Sequence, residues 1–340
     1  MMTEKERLYK VLKGEKVDRK PCICPGGMMN MIVEDIMDIE NVFWPMAHSD
    51  SEMMANLTLG MYKNGGFENF GVPFCMTVEA ECMGADVYMG TKVTEPRVVK
   101  YPIESVSNWI ELKQIDVNTA RAKTVIDAIK ILKEKNNDIP IVANLTGPVS
   151  LASSLMEPMT YYKELRKKKN EAHEFMDFVT ENLIEFGKAQ LQAGADVLTI
   201  SDPSGTGEIL GAKTFNEFAT PYLNKIIDNL KPYAQGGTII HICGKLKSIY
   251  NELNDLHSDA ISFDSITNAK QVVENVHGKI IMGNVSTFAI ENGTEESLKN
   301  ISNQCLNSGV DILSPACGIG VRSKLNNIKV LVECAKQYSN

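Results

Sequence analysis

The chain has 340 residues, 44% of them apolar and 23% charged, with a net charge of −8. That balance describes a globular protein with a sizeable core and argues against a nucleic-acid or anionic-membrane surface. Eight cysteines in so long a chain do not form a disulfide scaffold, the charged start MMTEKERLYK has no apolar signal core, and no apolar run approaches membrane-spanning length. The expectation is a cytoplasmic protein whose thiols are free or metal-bound.

Thr3 caps a first helix, with Glu6 three residues on as in a capping box, and Gly14 ends it. Pro21 to Pro25 reads as a short strand followed by a Gly26-Gly27 turn. Helices are expected over 30–38 and 51–64, the second started by Asp50 or Ser49 and closed by Gly65-Gly66. The segment 67–74 ends in a strand-like run, and 85–89 with 98–100 forms an excursion or hairpin. From there helices and strands alternate. Helices are expected over 120–134, 171–193, 215–231, 245–256, 269–276, 295–307 and 325–337. Strands are expected over 139–145, 195–200, 238–243, 260–263, 279–283 and 310–313. The basic run Arg166–Lys169 reads as a solvated helix face.

Cys22, Gly71, Val142, Leu198, Ile240, Ser262, Ile281 and Ile312 then mark the centres of eight strands. The joints Ala193-Gly-Ala-Asp-Val197 and Ser308-Gly-Val-Asp-Ile312 echo Met83-Gly-Ala-Asp-Val87: a Gly closes the helix and an acidic turn leads into the next strand. The pattern predicts an α/β protein, a single (β/α)8 TIM barrel over 1–340. Residues 1–66 supply extra N-terminal helices and the first strand, and 67–340 the remaining barrel. An open doubly wound sheet competes, but no G-x-G-x-x-G follows the first strand.

A parallel barrel gathers its reactive groups where the strands exit. Those exits carry Asn144, Asp202, His241, Cys243, Asp264, Asn284 and Cys317. In GGTIIHICGK, Thr238 to Ile240 form a buried strand, and His241 and Cys243, two apart, point to one side. Cys317 stands at another exit, in the turn Pro315-Ala-Cys-Gly318. One imidazole, two thiols and a carboxylate at one mouth suit zinc with an open position. The competing reading of each cysteine is a small buried hydrophobe. Cys22, Cys24, Cys75, Cys82, Cys305 and Cys334 lack a convincing partner set. His48, His173, His257 and His277 read as surface or capping residues.

HICGK, the Cys of SPACGIG, ADVLTISDP, LTGPVSLASSL and MGTK together resemble the methylcobamide:coenzyme M methyltransferases, zinc enzymes of the uroporphyrinogen decarboxylase-like superfamily. The resemblance spans nearly the whole chain. It implies zinc held by His241, Cys243 and Cys317, with Asp264 in the place of the family's acidic residue. It implies methyl transfer from a methyl-corrinoid on a partner protein to a small thiol, coenzyme M foremost, by attack of a zinc-bound thiolate. Two protein thiolates would keep the substrate sulfur electron-rich. Asp264, or failing that Asp202, would hold the fourth position until the thiol displaces it. Asn144 and Asn284 would position substrate or bind strand-end backbone. Met28, Met29 and Met31 are the candidate docking surface for the corrinoid protein, and Arg97, Lys245 and Arg322 the candidate anchors for an anionic acceptor. Another thiol or a folate as acceptor, a metal-free decarboxylase and a non-catalytic corrinoid-protein binding module are the alternatives. The decarboxylases carry an Arg-containing segment after the first strand, and Cys24–Asn30 has no Arg.

Overall fold

A computed structural model describes residues 2–338. Seven parallel strands lie side by side in the order β1 (Phe70–Val72), β4 (Ile141–Thr146), β5 (Val197–Ser201), β6 (Gly237–Ile242), β7 (Ala260–Phe263), β8 (Ile280–Val285) and β9 (Ile312–Pro315). β2 (Asp86–Tyr88) and β3 (Arg97–Lys100) form the separate antiparallel hairpin expected over 85–100. Helices follow each barrel strand and bury its outer side, which is why β4, β5 and β7 are buried at every residue.

The expected first strand closes the wall. Cys22 bridges Leu313 of β9 in parallel, with Leu313 N–H donating to Pro21 O at 3.0 Å and Ile23 N–H to Leu313 O at 3.2 Å. On its other edge Glu68 N–H donates to Cys22 O at 3.0 Å, and the Asn69 amide clasps Cys24 N–H and Cys24 O, both at 2.9 Å. Pro21 and Pro25 lack N–H groups, so this eighth stave makes one bridge rather than a ladder. The result is the (β/α)8 barrel.

The acidic strand-entry turns have a structural explanation. Asp196 Oδ2 accepts from Ile141 N–H at 2.9 Å, Asp259 Oδ2 from Thr238 N–H at 2.8 Å, and Asp311 Oδ2 from Ile281 N–H at 3.0 Å. Each carboxylate pairs an N–H at the start of the strand before it, that of the first residue of β4 and of the second residue of β6 and of β8. The helix Glu4–Leu12, with the expected Thr3/Glu6 capping box, lies across this end of the barrel, where Tyr9 Oη meets Asp196 at 2.8 Å.

The helix expected over 215–231 is two, Gly207–Phe218 and Thr220–Leu230, because Pro221 cannot donate within a continuous helix. The one expected over 245–256 shrinks to a 3-10 turn, Lys247–Ile249, and the short helix Tyr250–Asn254. Pro148–Leu155 and Pro158–Lys167 are helices that begin on proline, the residue that otherwise reads as a breaker. Among the described residues no helix is long and apolar enough to cross a membrane.

Candidate metal centre

His241, fully buried, is the last residue but one of β6, and after Ile242 the chain turns out through Cys243 and Gly244. Gly244 has φ +77°, a conformation that costs a side-chain-bearing residue, and a Cβ there would stand 2.7 Å from Glu208 Oε2. His241 Nε2 lies 3.1 Å from Cys243 Sγ. Cys317, two residues past β9, brings its Sγ to 3.5 Å from Cys243 Sγ. The three ligand atoms all lie within 4.8 Å of one another.

Cys317 is held there by backbone. Ala316 N–H donates to Val285 O at 2.8 Å, and Ile319 N–H to Asn30 O at 3.0 Å. Gly318 lies so close to the 28–30 segment that a Cβ would stand 2.2 Å from Met28 O.

Ser262 fixes the imidazole. It pairs with His241 in the β6–β7 register, and its Oγ lies 3.0 Å from Nδ1. The hydroxyl donates to Met29 Sδ at 3.7 Å, which frees its oxygen to accept from Nδ1–H, the arrangement in which Nε2 can present a lone pair to a metal.

The thiols share their protons unequally. Cys317 is held well below the usual thiol range, first by the hydrogen bond from Cys243 and then by His241. Cys243 is pushed far up by being that donor, by burial, and by the charges of Cys317 and Asp264. The hydrogen bond between them thus sets the two thiols apart, Cys317 down and Cys243 up. Tetrahedral zinc, ~2.3 Å from sulfur and ~2.0 Å from nitrogen, sets its ligand atoms roughly 3.5–3.8 Å apart. The observed 3.1 and 3.5 Å fall a few tenths short of that, within small rotamer adjustments. The sulfur–sulfur distance is far beyond a disulfide bond, and both cysteines are free. The donor set therefore fits zinc.

The uroporphyrinogen decarboxylase (URO-D) family model matches residues 3–338. The chain belongs to the uroporphyrinogen decarboxylase family. Within it, the chain groups with the methylcobamide:CoM methyltransferases. It is 34% identical to methylcobamide:CoM methyltransferase MtbA of Methanosarcina acetivorans over 338 residues, 99% of this chain and 98% of that one. It is 31% identical to methylcobamide:CoM methyltransferase MtaA of Methanosarcina barkeri, again over 99% and 98% of the two chains. A solved methyltransferase structure from Methanosarcina mazei superposes with a TM-score of 0.91 at 31% identity, covering 99% of both chains.

The other strand-exit residues of this methyltransferase-family barrel all bond backbone groups, which for Asn144 and Asn284 is one of the two roles expected of them. Asp264 is not one of the groups brought together with the triad. Its Oδ1 accepts from Ile266 N–H at 3.0 Å and from Ser265 Oγ at 3.3 Å, and its Oδ2 lies 3.4 Å from Gly244 N. It shapes the turns beside Cys243 instead of reaching the ligand cluster. Asp202 is fully buried and accepts from Val149 N–H at 3.2 Å, Ser150 N–H at 2.8 Å and Ser150 Oγ at 2.6 Å. It anchors the first turn of the helix Pro148–Leu155, so both its oxygens are engaged away from the thiols. Burial still pushes its carboxyl up, against those hydrogen bonds.

Asn284 donates to Asp264 O at 3.1 Å and Thr267 O at 2.8 Å, tying strand-end loops together. Asn144 donates to Pro25 O at 2.8 Å and packs against Gly27, while its buried Oδ1 has no partner among the described residues. That oxygen is the one free acceptor on these four side chains.

Met29 and Met31 are fully buried, Met29 against Ser262, so of the methionine run only the half-buried Met28 reaches the surface. Lys245 is paired with Glu208 at 3.7 Å, and Arg97 stacks over Tyr88 with 5.5 Å to the ring centroid. Arg322 is exposed and carries no ion pair among the described residues. His48 is buried beside Trp44 rather than surface-facing, and burial pushes it down to about 3.

Sequence reading missed Ser262 and Glu95. Ser262 was legible only through strand register. Glu95 lies in the connection between β2 and β3. Its carboxyl is reachable by solvent yet hemmed in by protein, which pushes it up to about 8, with the thiols Cys75 and Cys317 adding to the effect.

Proposed function

We propose that this protein moves a methyl group from a methylated corrinoid protein to a small thiol, coenzyme M foremost, at a zinc ion held by His241, Cys243 and Cys317. The observation that carries the reading is the convergence of one imidazole and two thiols, from the ends of distant strands, at ligand spacing. The names of the relatives supply the donor and the acceptor class.

Zinc bound by this donor set would strip the proton from an incoming thiol near neutral pH while two protein thiolates keep that sulfur nucleophilic. The chain's own part is geometric and electrostatic. Ser262 aims Nε2 of His241 at the cluster. Cys317 arrives already inclined to lose its proton, and Cys243 loses its own only when a cation is present. The Asp264 carboxylate adds negative charge beside Cys243, and three protein ligands would leave a bound zinc free to take the acceptor thiol. As the acceptor's new S–C bond forms, the Co–C bond of the donor breaks and its electron pair stays on cobalt, which passes from Co(III) to Co(I). The thiol proton leaves to solvent. A metal-free decarboxylase would give the three ligand-spaced side chains no task.

Purified protein, assayed for metal and mixed with methylcobalamin and a panel of thiols, tests this directly. The expected result is one zinc per chain and cob(I)alamin formation that a chelator abolishes and Cys243→Ala removes together with the zinc. Full activity in the Cys243→Ala protein, or none from the zinc-loaded wild type with any thiol, would refute the reading.

A further inference from the structure

We propose that Ile209, Ile266 and Phe288 form the apolar rim on which the methylated corrinoid protein seats, an inference that rests on the methyl-transfer reading above. Each stands just past a strand of the wall. Ile209 is in the first turn of the helix that follows β5, Ile266 is in the loop after β7, and Phe288 is in the first turn of the helix Thr287–Asn292 after β8. β5 and β7 flank β6, whose exit carries His241 and Cys243, and β8 is the next strand beyond β7. Parallel strands put all three residues at the same end of the barrel as the triad.

Their exposures are 47%, 58% and 75%. One exposed apolar side chain needs no explanation, but three on neighbouring connections around one site do. All three sit on built turns. Thr206 Oγ1 accepts from Glu208 N–H at 3.3 Å, Asp264 Oδ1 from Ile266 N–H at 3.0 Å, and Ser286 Oγ from Ala289 N–H at 3.4 Å. The side chains are thus presented outward by a fixed backbone.

The geometry of the reaction names the occupant. In-line transfer needs the donor carbon about 3–3.5 Å from the acceptor sulfur. The acceptor sulfur would lie at the triad, inside the ring of strand exits. A corrinoid bound to a protein can bring its methyl that close only by pressing the protein surface around it onto the rim. A small thiol enters without touching the rim, and free methylcobalamin brings no protein surface to it. Aliphatic and aromatic anchors close to the centre of a contact are the residues that dominate such interfaces.

The test compares two donors. Ile209→Asp, Ile266→Asp, Phe288→Asp and the wild type are assayed with free methylcobalamin and with a purified methylated corrinoid protein, at saturating thiol. Tyr233→Asp, in the connection before β6 at the opposite end of the barrel, is the control. The expected result is a loss of ~10-fold or more in kcat/KM, carried by KM, for the rim variants with the protein-borne donor alone. Their zinc content, melting temperature and turnover of free methylcobalamin stay at wild-type levels, and the control changes with neither donor. Rim variants that use the protein-borne donor as well as wild type, or lose both donors equally while still folded, overturn the rim. So does a wild type that turns over free methylcobalamin but no methylated corrinoid protein. A zinc-loaded wild type that cannot use free methylcobalamin refutes the methyl-transfer reading itself, and the rim with it.

Discussion

Replacing Ser262 by Ala removes the group that holds Nδ1 of His241 and leaves that N–H buried without an acceptor. The hydroxyl lies 3.0 Å from Nδ1, both side chains are fully buried, and no other partner of that nitrogen is found among the described residues. An unpaired buried donor costs about 1–3 kcal/mol. The imidazole can also rotate or adopt the tautomer that puts its proton on Nε2, and either change withdraws the lone pair from the metal. The two effects together predict zinc binding weakened by roughly 10–100-fold, the range seen when such outer partners of metal ligands are removed. Competition against a chromophoric chelator at fixed pH measures this, and Ser262→Thr, which keeps the hydroxyl, should recover most of the loss. Zinc affinity within twofold of wild type in the Ala variant would refute the orienting role.

Other perturbations separate the metal site from the scaffold. Gly318→Ala would place a Cβ 2.2 Å from Met28 O, so the turn must move and carry Cys317 with it; zinc affinity and melting temperature should both fall, and an unchanged zinc titration would count against the backbone clamp. Asp202→Asn would replace one of the two acceptor oxygens by an NH2 donor, aimed at either the Val149 or the Ser150 N–H, costing about 1–3 kcal/mol of stability with zinc stoichiometry intact; urea unfolding checks the first and metal analysis the second. Glu95 has a folded pKa of about 8, above its ordinary 4.5, so folding takes up a proton in that window and its contribution to stability declines as pH rises through it. The melting-temperature difference, Glu95→Gln minus wild type, should therefore grow from about pH 5 to 8 and then level off, and a flat difference would refute the hemmed-in carboxyl.

Much of the scaffold was legible because its physics is local. β7 and the helices Glu295–Asn307 and Leu325–Gln337 fall where residue pattern alone places them. His241 and Cys243 could be paired from their spacing on one strand, and Cys317 from its glycine-rich turn at another strand's exit. The rest depended on register and on tertiary demand. Ser262 matters because it lies opposite His241 in the ladder, a relation that neither strand reveals alone. Asp202 was read as a candidate ligand, and Asn284 as either a substrate-positioning or a backbone-binding residue, because polar residues at strand ends look alike in sequence. In the folded chain they pair backbone groups that the barrel's end leaves open. Met29 was read as surface, yet it lies beneath the metal centre as the acceptor for Ser262.

The stave around Cys22 joins β9 at Leu313, almost the whole chain away, and Cys317 follows directly after that strand. A nascent chain emerging from a ribosome can therefore pair its inner strands early but cannot seal the wall until its last segment is free. Such long-range closure is the slow kind. The third ligand arrives with the closing strand, so a truncated or stalled chain exposes one imidazole and one thiol but no complete cage. On the proposed zinc reading, metal capture would wait for this closing segment, since Cys317 follows directly after β9.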